Sequence, residues 1–136
     1  METNDLVYSA VLRDFKEARR RAALEDLRAR LTGKSDDLLS YEAVQDLLQA
    51  KGSVSRGLQD IPLDAIVGSV GRYHDYTRSF LPRRESDQHR WANVKLKAIY
   101  QGGFPPIEVY QLGANYFVLD GNHRVSVARQ LGADTI

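Results

Sequence analysis

Five consecutive residues near the end of the chain, Asp120-Gly121-Asn122-His123-Arg124, place a carboxylate, a glycine, an amide, an imidazole and a guanidinium side by side. Tyr116 to Leu119, just before them, is the short aromatic and β-branched run of a buried strand. Val125 to Arg129, just after, opens like a helix. Gly121 can take the positive φ that a sharp strand-to-helix reversal needs. Asn122 is then the expected N-cap, with His123, Arg124 and Val125 in the first helical turn. Unpaired backbone N–H groups and the positive end of the helix dipole face whatever lies above such a turn. The planar fork of Arg124 suits phosphate oxygens, so the turn is a candidate anion site, with His123 as a further donor. Asp120, at the carboxyl end of the strand, could hold a metal ion, take a proton or fix a neighbour. A purely structural role is open as well, in which Arg124 simply pairs with Asp120.

The same five residues, preceded by a strand and followed by Ala128 and Leu131-Gly132, resemble the signature turn of the ParB/sulfiredoxin superfamily. Sulfiredoxins carry Gly-Cys-His-Arg there, ParB proteins Gly-Glu-Arg-Arg, and the ParB-related free-serine kinases Asp-Gly-x-His-Arg. Ile61-Pro62-Leu63-Asp64-Ala65-Ile66 resembles the first strand and turn of ParB N-terminal domains, and Gly103-Phe104-Pro105-Pro106-Ile107-Glu108-Val109 their entry to a central hairpin. The resemblance covers residues 59 to 136. It implies an α+β fold with a small mixed sheet and packed helices, and a nucleotide (ATP, ADP or CTP) bound with Mg²⁺. Gly121, Asn122, His123 and Arg124 would hold the phosphates, and Asp120 would reach the metal through oxygen, as hard cations require. Phosphoryl transfer or nucleotide hydrolysis would need a carboxylate base, for which Asp75 and Asp120 are the candidates. Asn122 stands where ParB proteins have glutamate, which departs from their hydrolytic motif. A DNA-binding or regulatory module of ParB type is the alternative. Fold resemblance by itself does not assign activity.

The chain has no cysteine, so disulfides, thiolate metal sites and the thiol chemistry of sulfiredoxins are excluded. Its three histidines, His74, His89 and His123, lack the i, i+4 spacing of a helical metal site. No Walker A, Rossmann or Gly-x-Ser-x-Gly pattern occurs. The net charge of +1 exerts no general pull on nucleic acid, although arginine supplies 14 of the 19 basic residues. No apolar run approaches the roughly 20 residues of a membrane span, and the first residues lack a secretory pattern. These features predict a cytoplasmic protein without membrane contact.

The elements that must carry the turn can be read outward from it. Residues 5 to 31 read as a helix with an apolar stripe of Val7, Val11, Phe15, Ala18 and Ala22. Leu24, Leu27 and Leu31 form a second stripe, displaced from the first, which suggests two neighbours or a homodimer. Arg19-Arg20-Arg21 points to DNA, but interspersed acids favour a solvated mixed-charge face; residues 1–58 hold ten basic and ten acidic side chains. A second helix is expected over 40–50, capped by Ser40, with Leu39 and Val44 as a hydrophobic staple. Together these predict an αα-hairpin over 1–52, a linker over 53–58 and a ParB/sulfiredoxin-like domain over 59–136. Gly68 to Asp87 loses apolar period and reads as a loop folding over the Asp120–Arg124 turn, with Arg72, Arg78 and His74 reaching the same ligand. Tyr73, Tyr76 and Phe80 beside those cations suit base stacking, or else pin a structural loop. A helix over 86–101 with Trp91 in the core, a hairpin around Gly113-Ala114-Asn115, and a final helix over 123–131 complete the reading. Ala133 to Ile136 looks like a strand cut off early, as expected of a fragment.

Overall fold

A computed structural model describes residues 2–48, 55–71 and 73–136. The chain is α+β, with helices packed on one four-stranded sheet. The long helix α1 runs Glu2–Thr32 and is followed by strand β1, Leu39–Ser40, and helix α2, Tyr41–Leu48. Strand β2 is Ile66–Ser69, helix α3 is Gln88–Gln101, strand β3 is Glu108–Leu112, strand β4 is Asn115–Asp120 and helix α4 is Asn122–Gln130. The sheet order is β1-β2-β4-β3, the first three strands parallel and β3 antiparallel on the edge.

The first apolar stripe of α1 behaves as its spacing demands. Val11, Phe15, Ala18 and Ala22 are buried, and the first three close with Trp91, Ala92 and Val127 into a core between α1, α3 and α4. A second core lies under the sheet, where Val118, Val125 and Ala128 meet Ile61, Leu63, Ile66, Tyr76 and Phe80. Helices α1 and α3 end at glycines, Gly33 and Gly102, which take left-handed φ of 72° and 73°. The β3–β4 hairpin turns on Gly113-Ala114, one residue tighter than expected, with Leu112 paired to Asn115.

Several expectations change. The two N-terminal helices do not form a hairpin of their own, because Leu39–Ser40 pass between them as a strand parallel to β2. This happens because Gly68 lets the backbones and a ring come close. A Cβ there would lie 2.3 Å from the Leu39 carbonyl oxygen and 2.5 Å from Phe117 Cδ1, and Gly68 therefore belongs to β2 rather than to the loop after it. Leu24, Leu27 and Leu31 are exposed rather than packed. Of the expected linker, residues 55–58 are exposed coil and 53–54 fall outside the described residues. At the other end, Ile61 and Ile136 exchange backbone hydrogen bonds of 2.9 and 3.0 Å, so residues 134–136 run antiparallel beside 61–63.

Candidate functional site

The carboxyl ends of β2 and β4 lie side by side, and α4 begins directly beyond them. Ser69 Oγ sits 3.1 Å from Asn122 Oδ1 and 3.3 Å from the Val118 carbonyl, so its single proton joins the end of one strand to the start of the helix. The next residue, Val70, donates its N–H to the Val118 carbonyl at 2.8 Å, and the chain then leaves the sheet beside the same turn. Openings of this kind, at the carboxyl edge of parallel strands, are where α/β sheets receive ligands.

Gly121 makes the reversal. Its φ of 118° lies in a region L side chains rarely adopt, and a Cβ would stand 2.5 Å from Ile107 Cγ2. Gly121 is thus the cap residue and Asn122 the first helical one, a correction to the expected N-cap; no side-chain cap hydrogen bond is made. The cause is that the Asn122 amide faces Ser69 instead of turning back on the helix. The first turn closes with Val125 N–H donating to the Gly121 carbonyl at 3.0 Å.

The side chains of His123 and Arg124 are held by other segments. His123 Nδ1 is hydrogen-bonded to the Tyr76 hydroxyl, and the two rings meet edge to face at 5.7 Å. Arg124 Nη1 donates to the Pro106 carbonyl at 2.5 Å, and Nη2 meets Asp120 Oδ2 at 3.0 Å. Of the roles open to Arg124, the structure shows the pairing with Asp120, with a second anchor on the Pro105–Pro106 backbone. The Arg124 side chain is only 20% exposed, that of Asp120 69%, so the carboxylate is the solvent-facing member.

The loop after β2 folds over this turn through Tyr76, but the charged side chains described in it go elsewhere. Arg78 Nε donates to the Asp37 carbonyl at 2.7 Å, and its N–H to the Asp36 carbonyl at 2.6 Å, which anchors it to the segment before β1. Asp75 meets Arg84 Nη1 at 3.3 Å. His74 is exposed and its ring packs against Tyr73 at 4.2 Å. Arg72 falls outside the described residues. Tyr76 and Phe80 are 1% exposed, so they pin the loop as core. Sequence reading passed over Ser69, the Pro106 carbonyl and Ile107, because a serine, a carbonyl and an isoleucine acquire a role only through their neighbours in space.

For magnesium the turn itself offers one carboxylate, Asp120, which Arg124 already engages; Glu108 stands opposite it in the β3–β4 register. Among the described residues no three His, Asp or Glu side chains converge as ligands. The residues of the turn by themselves therefore do not fit a metal held by protein alone.

Beyond the Pro105–Ile107 segment opens a cleft of about 1130 Å³, lined by Tyr41, Phe104, Tyr110, Tyr116, Leu58 and Ile136 among others. Tyr41 and Tyr110 stack there at 4.7 Å. No helix among the described residues is long and apolar enough to cross a membrane. Comparison with protein-family models, curated proteins and solved structures returns no match.

Proposed function

We propose that the chain is a nucleotide- or phosphate-binding domain of ParB/sulfiredoxin type, with its anion at the amino end of α4. The observation that carries this reading is the meeting of that helix end with the carboxyl ends of parallel β2 and β4. Backbone N–H groups of the first turn and the helix dipole supply the attraction. A Tyr76 hydroxyl donating to Nδ1 leaves the His123 proton on Nε2, the form in which a neutral imidazole donates to an oxygen. Arg124 is oriented in advance by Pro106, and an arriving phosphate competes with Asp120 for its Nη2 face. The cleft beyond Pro105–Ile107 offers tyrosine rings to a base. Binding is the core of the reading; phosphoryl transfer or hydrolysis would be a further property of the same turn.

Thermal melting with ATP, ADP, CTP and inorganic phosphate, each with and without Mg²⁺, tests it. Ligand near 100 times its Kd should add about 2.7 kcal/mol by mass action, a shift of several degrees. Arg124→Ala should abolish that shift and lower the unliganded melting point modestly, since the pair opens to solvent at Asp120 and the bond to the Pro106 carbonyl contributes about 0.5–1.5 kcal/mol. Asp120→Asn should strengthen metal-free phosphate binding by removing the competing carboxylate. If no ligand shifts the transition, or if the shift survives Arg124→Ala, the reading is wrong. Inorganic phosphate released from the same samples reports turnover.

A further inference from the structure

The outward face of α1 carries a charge that the net value of +1 conceals. Between residues 13 and 34 three of the four acids are engaged by groups on other segments. Asp14 meets Lys95 at 2.5 Å, Asp26 meets Arg83 at 2.9 Å, and Glu25 accepts from the Ser79 hydroxyl at 3.3 Å. Glu17 stays outside, where Arg20 holds it at 2.6 Å. The other charges facing solvent are cationic: Arg21, Arg28 and Arg30 on α1, and Lys34 just beyond its end, are all exposed. Among them stand Leu24, Leu27 and Leu31, at 44%, 50% and 78% exposure. Steps of three and four place these leucines in one line about 10 Å long, with Arg28 on one flank and Arg30 on the other.

We infer that this face docks an amphipathic helix of another protein, apolar along one seam and acidic on both flanks. A leucine line this narrow is the seam of helix pairing, whereas an interfacial membrane helix presents a broad apolar side. A nucleic-acid backbone would engage the arginines but gives the leucines no apolar partner. A second copy of α1 would set Arg28 and Arg30 against their own kind, which disfavours self-pairing. An acid-flanked helix covers the leucines and neutralises the arginines together.

The probe is a synthetic peptide of about three heptads, leucine at a and d and glutamate at e and g, titrated with the full chain by fluorescence anisotropy. Saturable binding is expected, weakened about tenfold or more by Leu27→Ser and by the Arg28→Glu/Arg30→Glu pair, a change of about 1.4 kcal/mol. The charge-reversed variant should instead bind a lysine-flanked peptide. Melting temperatures should stay at the parent value, since all three side chains are exposed. No peptide binding, or binding indifferent to Leu27→Ser, overturns the inference. So does tighter binding to duplex DNA or anionic vesicles that survives Leu27→Ser, or self-association that Leu27→Ser abolishes.

Discussion

The ammonium of Lys95 lies 2.5 Å from both Asp14 Oδ2 and Gln130 Oε1, and 5.7 Å from the centre of the Trp91 ring. One side chain of α3 thus ties α1 to α4. Trp91, 0% exposed, adds a 2.9 Å hydrogen bond from Nε1 to Ser126 Oγ on α4. The two partners of the ion pair are not equivalent, since the Lys95 side chain is 6% exposed and that of Asp14 40%. Removing the anion strands a buried charge, whereas removing the cation leaves a carboxylate that water can reach. Asp14→Ala should therefore cost about 2–4 kcal/mol, and Lys95→Met about 1 kcal/mol or less. Urea denaturation of both variants measures the difference, and equal losses would contradict this account. Nothing in the sequence marks Lys95 as buried: it reads as a polar position on a helix whose apolar face was legible in Trp91 and Ala98.

Arg83 anchors the approach to α3. Its guanidinium reaches Asp26 at 2.9 Å, Asp36 at 3.0 Å and Asp37 at 2.8 Å, joining α1 and the β1 approach to the loop. Burial, reinforced by a hydrogen bond with Asp36, raises the pKa of Asp26. Burial also pushes Asp36 upward, but the bond with Asp26 and the charge of Arg83 outweigh it and hold that carboxyl below its ordinary value. Asp36 thus stabilises the fold above the usual aspartate range, and its contribution is lost as pH falls through the depressed value. Arg83→Met reverses the sign. Carboxylates without their cation titrate above their unfolded values, so the variant loses stability as pH rises. We expect a deficit of about 2–3 kcal/mol near neutrality, less than for a fully dry cluster because Asp26 and Asp37 keep some solvent. That deficit should shrink below about pH 4, where the carboxyls are protonated in both states. Melting curves across pH decide it. The loop itself was legible as a break in apolar period with Tyr76 and Phe80 as its pins; the three acids that hold Arg83 were not, because they lie 46 to 57 residues away.

Both cores depend on segments from the two ends of the chain. Val11, Phe15 and Ala18 of α1 cover Trp91, Ala92 and Val127, and β1 pairs with β2. α4 feeds both cores, with Val127 in one and Val125 and Ala128 in the other. A fragment of residues 59–136 would keep the candidate anion turn but lose the cover of Trp91 and one strand of the sheet. We expect it to melt without a cooperative transition, checked by near-ultraviolet circular dichroism and calorimetry. Cooperative folding of that fragment would show the N-terminal segment to be an appendage.

Local patterns were enough to place the helices, the hairpin, Trp91 in the core and the Asp120–Arg124 turn at a strand-to-helix junction. Each follows from residue types within a dozen positions of one another: a period of 3.6 or 2, a glycine at positive φ, a break. What waited on the tertiary fold were choices made between distant residues. Leu39–Ser40 became a strand only because Gly68 left room beside it. Arg124 found the Pro106 carbonyl as well as Asp120, and Asn122 turned to Ser69. Among the evenly mixed charges of α1, Asp14 and Asp26 found cations on other segments, while Arg21, Arg28 and Arg30 were left facing water. Spacing along a chain constrains conformation over a few turns, whereas the partner of a charge or a leucine is set by which surfaces the whole chain brings together.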